Sequence, residues 1–210
     1  MLKIQTYTLG PVLTNSYLVS DDDSGRAVVI DPADSGQMLV EEAQNNGFMI
    51  EAVWLTHAHF DHLGGVADLF NELGSTPQVA LHPNDMPLWH AQGGAPFFGL
   101  QIDPGPEPTI ELIDKELLYI GRYQFEVRHT PGHTPGHVVF YCLSEDVMFC
   151  GDVIFQFSIG RTDLPGGDYN TLIQSIRTKI LILPDETRLL PGHGPETSVG
   201  VEKLNNPFLI

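Results

Sequence analysis

The sequence predicts an α/β fold in which two β-sheets pack face to face and carry helices on their outer faces. Three observations carry that expectation. Strand-like apolar runs dominate the chain, helical patterns interrupt them at intervals, and the order strands, helix, strand, helix, strands, helix, strand falls into two similar halves.

The elements follow in order. Lys3 to Leu9, Asn15 to Val19 and Ala27 to Asp31 read as strands, the last closed by Pro32. Ser35 is placed to cap a helix carrying Met38, Leu39, Glu42 and Ala43, and Asn46-Gly47 supplies its stop. Ala52 to Leu55 is a strand that runs into a histidine cluster, followed by a short helix over Val66 to Leu73 and a strand around Val79 to Leu81. Gly93 to Pro108, with four glycines and four prolines, reads as a long loop because strand signals resume directly after it. Leu117 to Ile120 and Gln124 to Arg128 form a hairpin pattern around Gly121, and Val138 to Leu143 with Val147 to Cys150 form another pair. Asp168 is placed to cap a helix whose apolar face is Leu172, Ile173, Ile176 and Ile180. A last strand, Thr187 to Leu190, delivers Pro-Gly-His-Gly. No repeat or linker divides the chain, so residues 1–210 are expected to form one domain.

Composition narrows the function classes. Lys and Arg total 10 against 27 Asp and Glu, a formal charge of −17, which repels phosphate backbones and anionic headgroups. Neither nucleic acid nor a membrane is therefore an expected partner, and no apolar run approaches the roughly 18 residues of a spanning helix. The opening residues lack the basic and apolar regions of a secretory signal, and Cys142 and Cys150 both sit in apolar runs as buried thiols. A cytoplasmic location is expected.

The chemistry lies in Thr56-His57-Ala58-His59-Phe60-Asp61-His62, which follows an apolar strand. So many polar groups cannot enter an apolar core without a large desolvation cost, but in a tight loop they can converge on a cation that takes nitrogen and oxygen ligands. Three further candidates each follow a glycine at the end of an apolar strand: His133, Asp152 and His193. Glycine there permits close backbone approach.

These residues carry a resemblance to the metallo-β-lactamase superfamily, over essentially the whole chain. THAHFDH at 56–62, TPGHTPGH at 130–137, GD at 151–152, GRTDLPGGD at 160–168 and PGHGPET at 191–197 are most similar to the short bacterial branch related to glyoxalase II, the hydroxyacylglutathione hydrolases. The C-terminal Asn206-Pro207-Phe208 is similar to that branch as well. The resemblance implies an αβ/βα four-layer sandwich of two mixed sheets flanked by helices. It implies that His57, His59 and His133 hold one metal, that Asp61, His62 and His193 hold a second, and that Asp152 bridges. Two divalent ions follow as cofactors, zinc first, with iron or manganese also suited to such ligands. The implied substrate is a small-molecule thioester such as S-lactoylglutathione. Full-length glyoxalase II carries a C-terminal helical region with basic groups for the glutathione carboxylates, absent from this sequence, which stops at Ile210. It also carries a Lys and a Tyr where this loop reads Gly160-Arg161-Thr162-Asp163.

Several residues admit two roles. Arg161 either binds a substrate carboxylate or pairs with Asp163 or Asp168 to shape the loop. Asp31 either supports the metal ligands or simply forms a turn. Phe97-Phe98 either walls a pocket or anchors its loop. His137 is a candidate partner for the metal loop, His129 reads as a packed and satisfied histidine, and His82 and His90 read as solvated.

Two divalent cations about 3.5–4 Å apart can generate hydroxide near neutral pH for attack on a carbonyl. Asp61 is the candidate to orient that hydroxide and accept its proton. A thiol with a pKa near 8.5 leaves readily, so thioester hydrolysis needs no strong general acid. The competing enzyme reading is a persulfide dioxygenase, a relative with one iron on two histidines and an aspartate that shares the GRTD element. A non-catalytic scaffold fits poorly, because structural metal sites are usually closed by four ligands.

Overall fold

A computed structural model describes residues 1–73 and 77–210. The first sheet runs in the order β1 (Leu2–Leu9), β2 (Thr14–Asp21), β3 (Arg26–Ile30), β4 (Met49–Trp54), β5 (Gln78–Leu81), β6 (Ile110–Glu111). Its first three strands are antiparallel and the rest parallel, linked by α1 (Gly36–Asn45), α2 (Phe60–Leu63), α3 (Val66–Leu73) and α4 (Met86–His90). β7 (Leu117–Ile120), β8 (Tyr123–His129), β9 (Val138–Cys142) and β10 (Val147–Gly151) begin the second sheet. A two-stranded ribbon of β11 (Ile154–Phe155) and β12 (Ser158–Ile159) and the helix α5 (Tyr169–Ser175) precede β13 (Arg188–Pro191), β14 (Thr197–Ser198) and α6 (Val199–Asn205). The second sheet is ordered β14-β13-β10-β9-β8-β7, with β10 and β13 parallel.

The period of two explains the layers. On β2, Tyr17 and Val19 join Trp54, Phe125, Phe140 and Phe149 between the sheets, whereas Leu18 faces the other way with Leu39, Val40 and Leu69 of α1 and α3. Trp54 meets Phe125 and Phe140 with both ring centroids at 5.3 Å, and Tyr17 meets Phe149 at 5.1 Å, so aromatic contacts join the two inner faces. On the outer face of the second sheet, Val139, Met148 and Cys150 pack on Leu172, Ile176 and Ile180. The expected four-layer sandwich of two mixed sheets is the observed fold. Among the described residues no helix is long and apolar enough to cross a membrane, and both cysteines are free and buried.

Local expectations divide by mechanism. Asp168 caps α5, its Oδ1 accepting the Thr171 N–H at 2.7 Å. Ser35 makes no such bond: it sits in the left-handed region at φ 55, and its side chain makes no capping bond to α1. The chain turns there because Gly36 abuts the entry to α3, where an added Cβ would stand 2.1 Å from the Gly65 carbonyl oxygen. The helix expected through Ile180 continues past Ser175 as a π turn over Ile176–Ile180, which keeps Ile176 and Ile180 buried. The short strands β6, β11, β12 and β14 and the helices α2, α4 and α6 were not expected from the sequence, because each is too brief for its periodicity to register.

Candidate metal centre

The loops that follow β4, β8, β10 and β13 converge. His57 and His59 stand in the short irregular stretch between β4 and α2, and the single turn of α2 then brings Asp61 and His62 to the same point. The β8–β9 loop is pinched by the Thr130 N–H donating to the His137 carbonyl at 2.8 Å. Asp152 and His193 each follow the end of a strand of the second sheet, behind a glycine. Gly192 is required by contact: a Cβ there would lie 2.3 Å from Asp152 Oδ1 and 2.7 Å from His62 Cε1.

All seven expected ligands meet. One ligand atom from each of His57, His59 and His133 lies within 4.8 Å of the others, and the same holds for Asp61, His62 and His193. Asp152 touches both groups, with Oδ1 at 3.3 Å from His62 Nε2 and Oδ2 at 3.6 Å from His133 Nε2 and 3.5 Å from His193 Nε2. Among the described residues, His57 Nε2, His62 Nε2 and Asp152 Oδ1 are buried without a hydrogen-bond partner. Buried polar atoms left unpaired are costly, and their convergence on one point fits a cation held among them.

The surrounding bonds aim these atoms. Asp31 accepts the Thr56 N–H and hydroxyl at 2.8 and 2.7 Å and pairs with His62 Nδ1 at 2.9 Å. Thr56 Oγ1 in turn faces His57 Nδ1 at 3.0 Å. His133 Nδ1 donates to the Arg161 carbonyl at 2.8 Å. Each bond holds one ring nitrogen and frees the other as a ligand. Asp31 is thus a support for the ligands rather than a mere turn residue, although its φ of 50 also turns the chain. His137 is buried and accepts the Asp152 N–H at 3.0 Å, so it too positions a ligand.

Two contributors escaped the sequence reading. Thr14 donates its hydroxyl to Asp61 Oδ2 at 3.1 Å. Asp85 is fully buried and accepts the Ala58 N–H at 3.1 Å, the Thr134 hydroxyl at 2.8 Å and the Gly136 N–H at 2.6 Å, clamping the ligand loops of the two sheets together.

A family model described as the metallo-beta-lactamase superfamily matches residues 9–193. The chain belongs to the metallo-beta-lactamase superfamily. It is accordingly a metal-dependent hydrolase of that group. It is 39% identical to hydroxyacylglutathione hydrolase GloC of Haemophilus influenzae, over 90% of this chain and 89% of the relative. Two solved structures superimpose closely. The BLEG-1 B3 metallo-beta-lactamase has a TM-score of 0.90 at 39% identity, covering 99% of each chain. TTHA1623 in a di-iron-bound form has 0.88 at 43% identity, covering 98% of this chain and 100% of the other.

In this superfamily member the two ligand groups differ electrostatically. Burial, with the neighbouring histidines, holds His57 well below the ordinary imidazole value and His59 at about 3, so both are neutral. Burial acts the same way on His62, but Asp152, Asp61 and Asp31 outweigh it and raise His62 well above 6.5. His193 is also raised, its burial overcome by Asp61 and Asp152. Burial pushes Asp61 upward, yet His62 and His193 bring it down to about 2.

Above the ligands lies a cleft of about 610 Å³ whose floor is His59, Asp61, His133, Asp152 and His193. Phe98 walls it, its ring 5.4 Å from Phe60, whereas Phe97 stays outside it and is 77% exposed. Arg161 also lines the cleft, but its guanidinium forms two 2.7 Å bonds to Asp163, the loop-shaping pair that the sequence left open. His82, expected to be solvated, is half-buried and stacks on His129 at 4.1 Å with only 7° between the rings. His129 Nε2 donates to the Pro135 carbonyl at 2.9 Å. His90 is exposed beside Glu107.

Proposed function

We propose that this chain hydrolyses small-molecule thioesters at a dinuclear metal centre, in the cytoplasm. The observation that carries the reading is the meeting of two three-residue ligand groups, joined by Asp152, on the floor of an open cleft. The hydroxyacylglutathione hydrolase relative supports the thioester, and the di-iron neighbour supports a pair of ions. His57, His59 and His133 would hold one ion and Asp61, His62 and His193 the other, with Asp152 reaching both. Zinc is the first candidate, and iron or manganese suit the same donors.

When bound, such ions make an adjacent water acidic enough to act as hydroxide near neutral pH and polarise a carbonyl. Asp61, ionised and steadied by Thr14, orients that nucleophile and takes its proton. The acyl carbon gains a C–O bond and loses its C–S bond. The thiolate leaves without an acid catalyst because its conjugate pKa is near 8.5.

Metal analysis per chain, run beside a free-thiol assay on a thioester panel that includes S-lactoylglutathione, tests the proposal. Two ions and thiol release are expected. One tight iron with persulfide-dependent oxygen uptake, and no thiol released from any thioester, would replace it with the dioxygenase.

A further inference from the structure

We infer that the cleft selects a neutral thioester with a hydrocarbon acyl group over an anionic peptide thioester, a reading that rests on the thioester hydrolysis proposed above. Its walls are apolar: Pro11, Val12, Phe98, Leu100, Phe155 and Ile159 stand around the ligand floor. Three of these are large apolar side chains open to solvent, Val12 at 46%, Phe98 at 50% and Leu100 at 43%. Apolar surface grouped at the rim of one site marks a place where apolar ligand surface is covered. A side cavity of about 160 Å³ shares Pro11, Val12 and Leu100 with the cleft and adds Leu9 and Ile102 beside Thr14, Asp34 and Gln101, so an acyl chain entering past Asp61 meets further hydrocarbon along one wall.

The charges exclude the alternative. Among the described residues lining the cleft, Arg161 is the one Lys or Arg, and its guanidinium engages Asp163 through Nε and Nη2. That pair holds the Asp163 carboxyl at about 2, so Asp163 stays ionised as the partner of Arg161 across the physiological range. A tripeptide thioester with two carboxylates and one ammonium would therefore bring its carboxylates against apolar walls with no Lys or Arg free of an acidic partner, beneath a surface of net charge −17.

The test uses the metal-loaded full chain and thioesters of N-acetylcysteamine carrying butanoyl, hexanoyl and octanoyl groups, beside S-lactoylglutathione. kcat/KM should climb by up to about fourfold per buried methylene, mainly through KM, and the octanoyl ester should exceed S-lactoylglutathione. Phe98→Ser and Leu100→Ser, at exposed positions where folding is safe, should flatten the climb. Asp163→Ala frees the guanidinium and should lower KM for S-lactoylglutathione severalfold without doing so for the octanoyl ester. Calorimetry with the non-hydrolysable octyl and butyl thioethers separates binding from turnover. A flat series with S-lactoylglutathione preferred overturns the inference and leaves thioester hydrolysis standing. Tighter octyl than butyl binding, with no thioester hydrolysed, upholds the apolar cleft and overturns the hydrolysis.

Discussion

Replacing Asp85 with alanine should cost this protein both stability and metal affinity, although Asp85 ligates nothing. Its carboxylate is the acceptor for three donors, one on the THAHFDH loop and two on the TPGHTPGH loop. In Asp85→Ala two buried backbone N–H groups lose their partner, at about 1–3 kcal/mol each, while the Thr134 hydroxyl can rotate. Part of that loss is offset, because burial also raises the Asp85 pKa and shows the carboxylate to be costly to bury. A net loss of about 3 kcal/mol follows, or roughly 6–12 °C in Tm for a chain of this size. Asp85→Asn keeps an oxygen for Ala58 and Thr134 but turns an amide N–H toward the Gly136 N–H, so it should lose about half as much. Urea unfolding of the metal-free protein measures the stability arm. Metal competition titrations, in conditions where the variants remain folded, should show affinity weakened by about 10- to 100-fold, the usual effect of disturbing a group that orients ligands. An alanine variant within about 1 kcal/mol of the parent, binding metal as tightly, would refute the clamp.

Four further outcomes are expected. Asp61→Asn keeps the side chain's size but removes its charge, so kcat should drop at least about 10²-fold in stopped-time thiol-release assays, and a drop below tenfold would remove Asp61 as proton acceptor. Metal binding at neutral pH should release protons mainly from the His62 and His193 group, whose values are raised, and hardly from His57 and His59, which are already neutral; titration calorimetry in buffers of differing ionisation enthalpy reads this, and equal release from both steps would contradict it. By the same sign, the stability that neutral His57, His59 and His137 lend the metal-free fold is present above pH 6.5 and is lost as pH falls below it, as acid titrations by circular dichroism should show. Cys142 and Cys150, both buried with thiol pKa values pushed up first by burial, should resist alkylation at neutral pH until denaturant is added, and rapid native labelling would count against the packing.

What could be foreseen from the residues, and what could not, follows the reach of each interaction. The strand and helix order was visible because alternation and helical spacing are local, and the convergent histidine and aspartate set was visible because the THAHFDH cluster at one strand end and glycine before histidine or aspartate at three others are local marks. Asp168 was readable as a cap for the same reason, its partner lying three residues on. Ser35 carries an equal local mark and fails as a cap, because the close approach of Gly36 to Gly65 decides the backbone there. Asp85 shows the other limit: its partners lie 27, 49 and 51 residues away, and nothing near it in the chain distinguishes it from a turn aspartate. The cleft is assembled in that same way. Val12, Leu100 and Phe155 come from three separate segments of the chain and share no motif, so the walls that choose the substrate are set by tertiary packing alone. Arg161 lies between these cases, since its pairing with Asp163 is local and was foreseeable, while its consequence depends on walls that were not. Reaction type in this fold is thus written in short motifs, and substrate choice in long-range contacts, so relatives can keep every ligand and still differ in what they cleave.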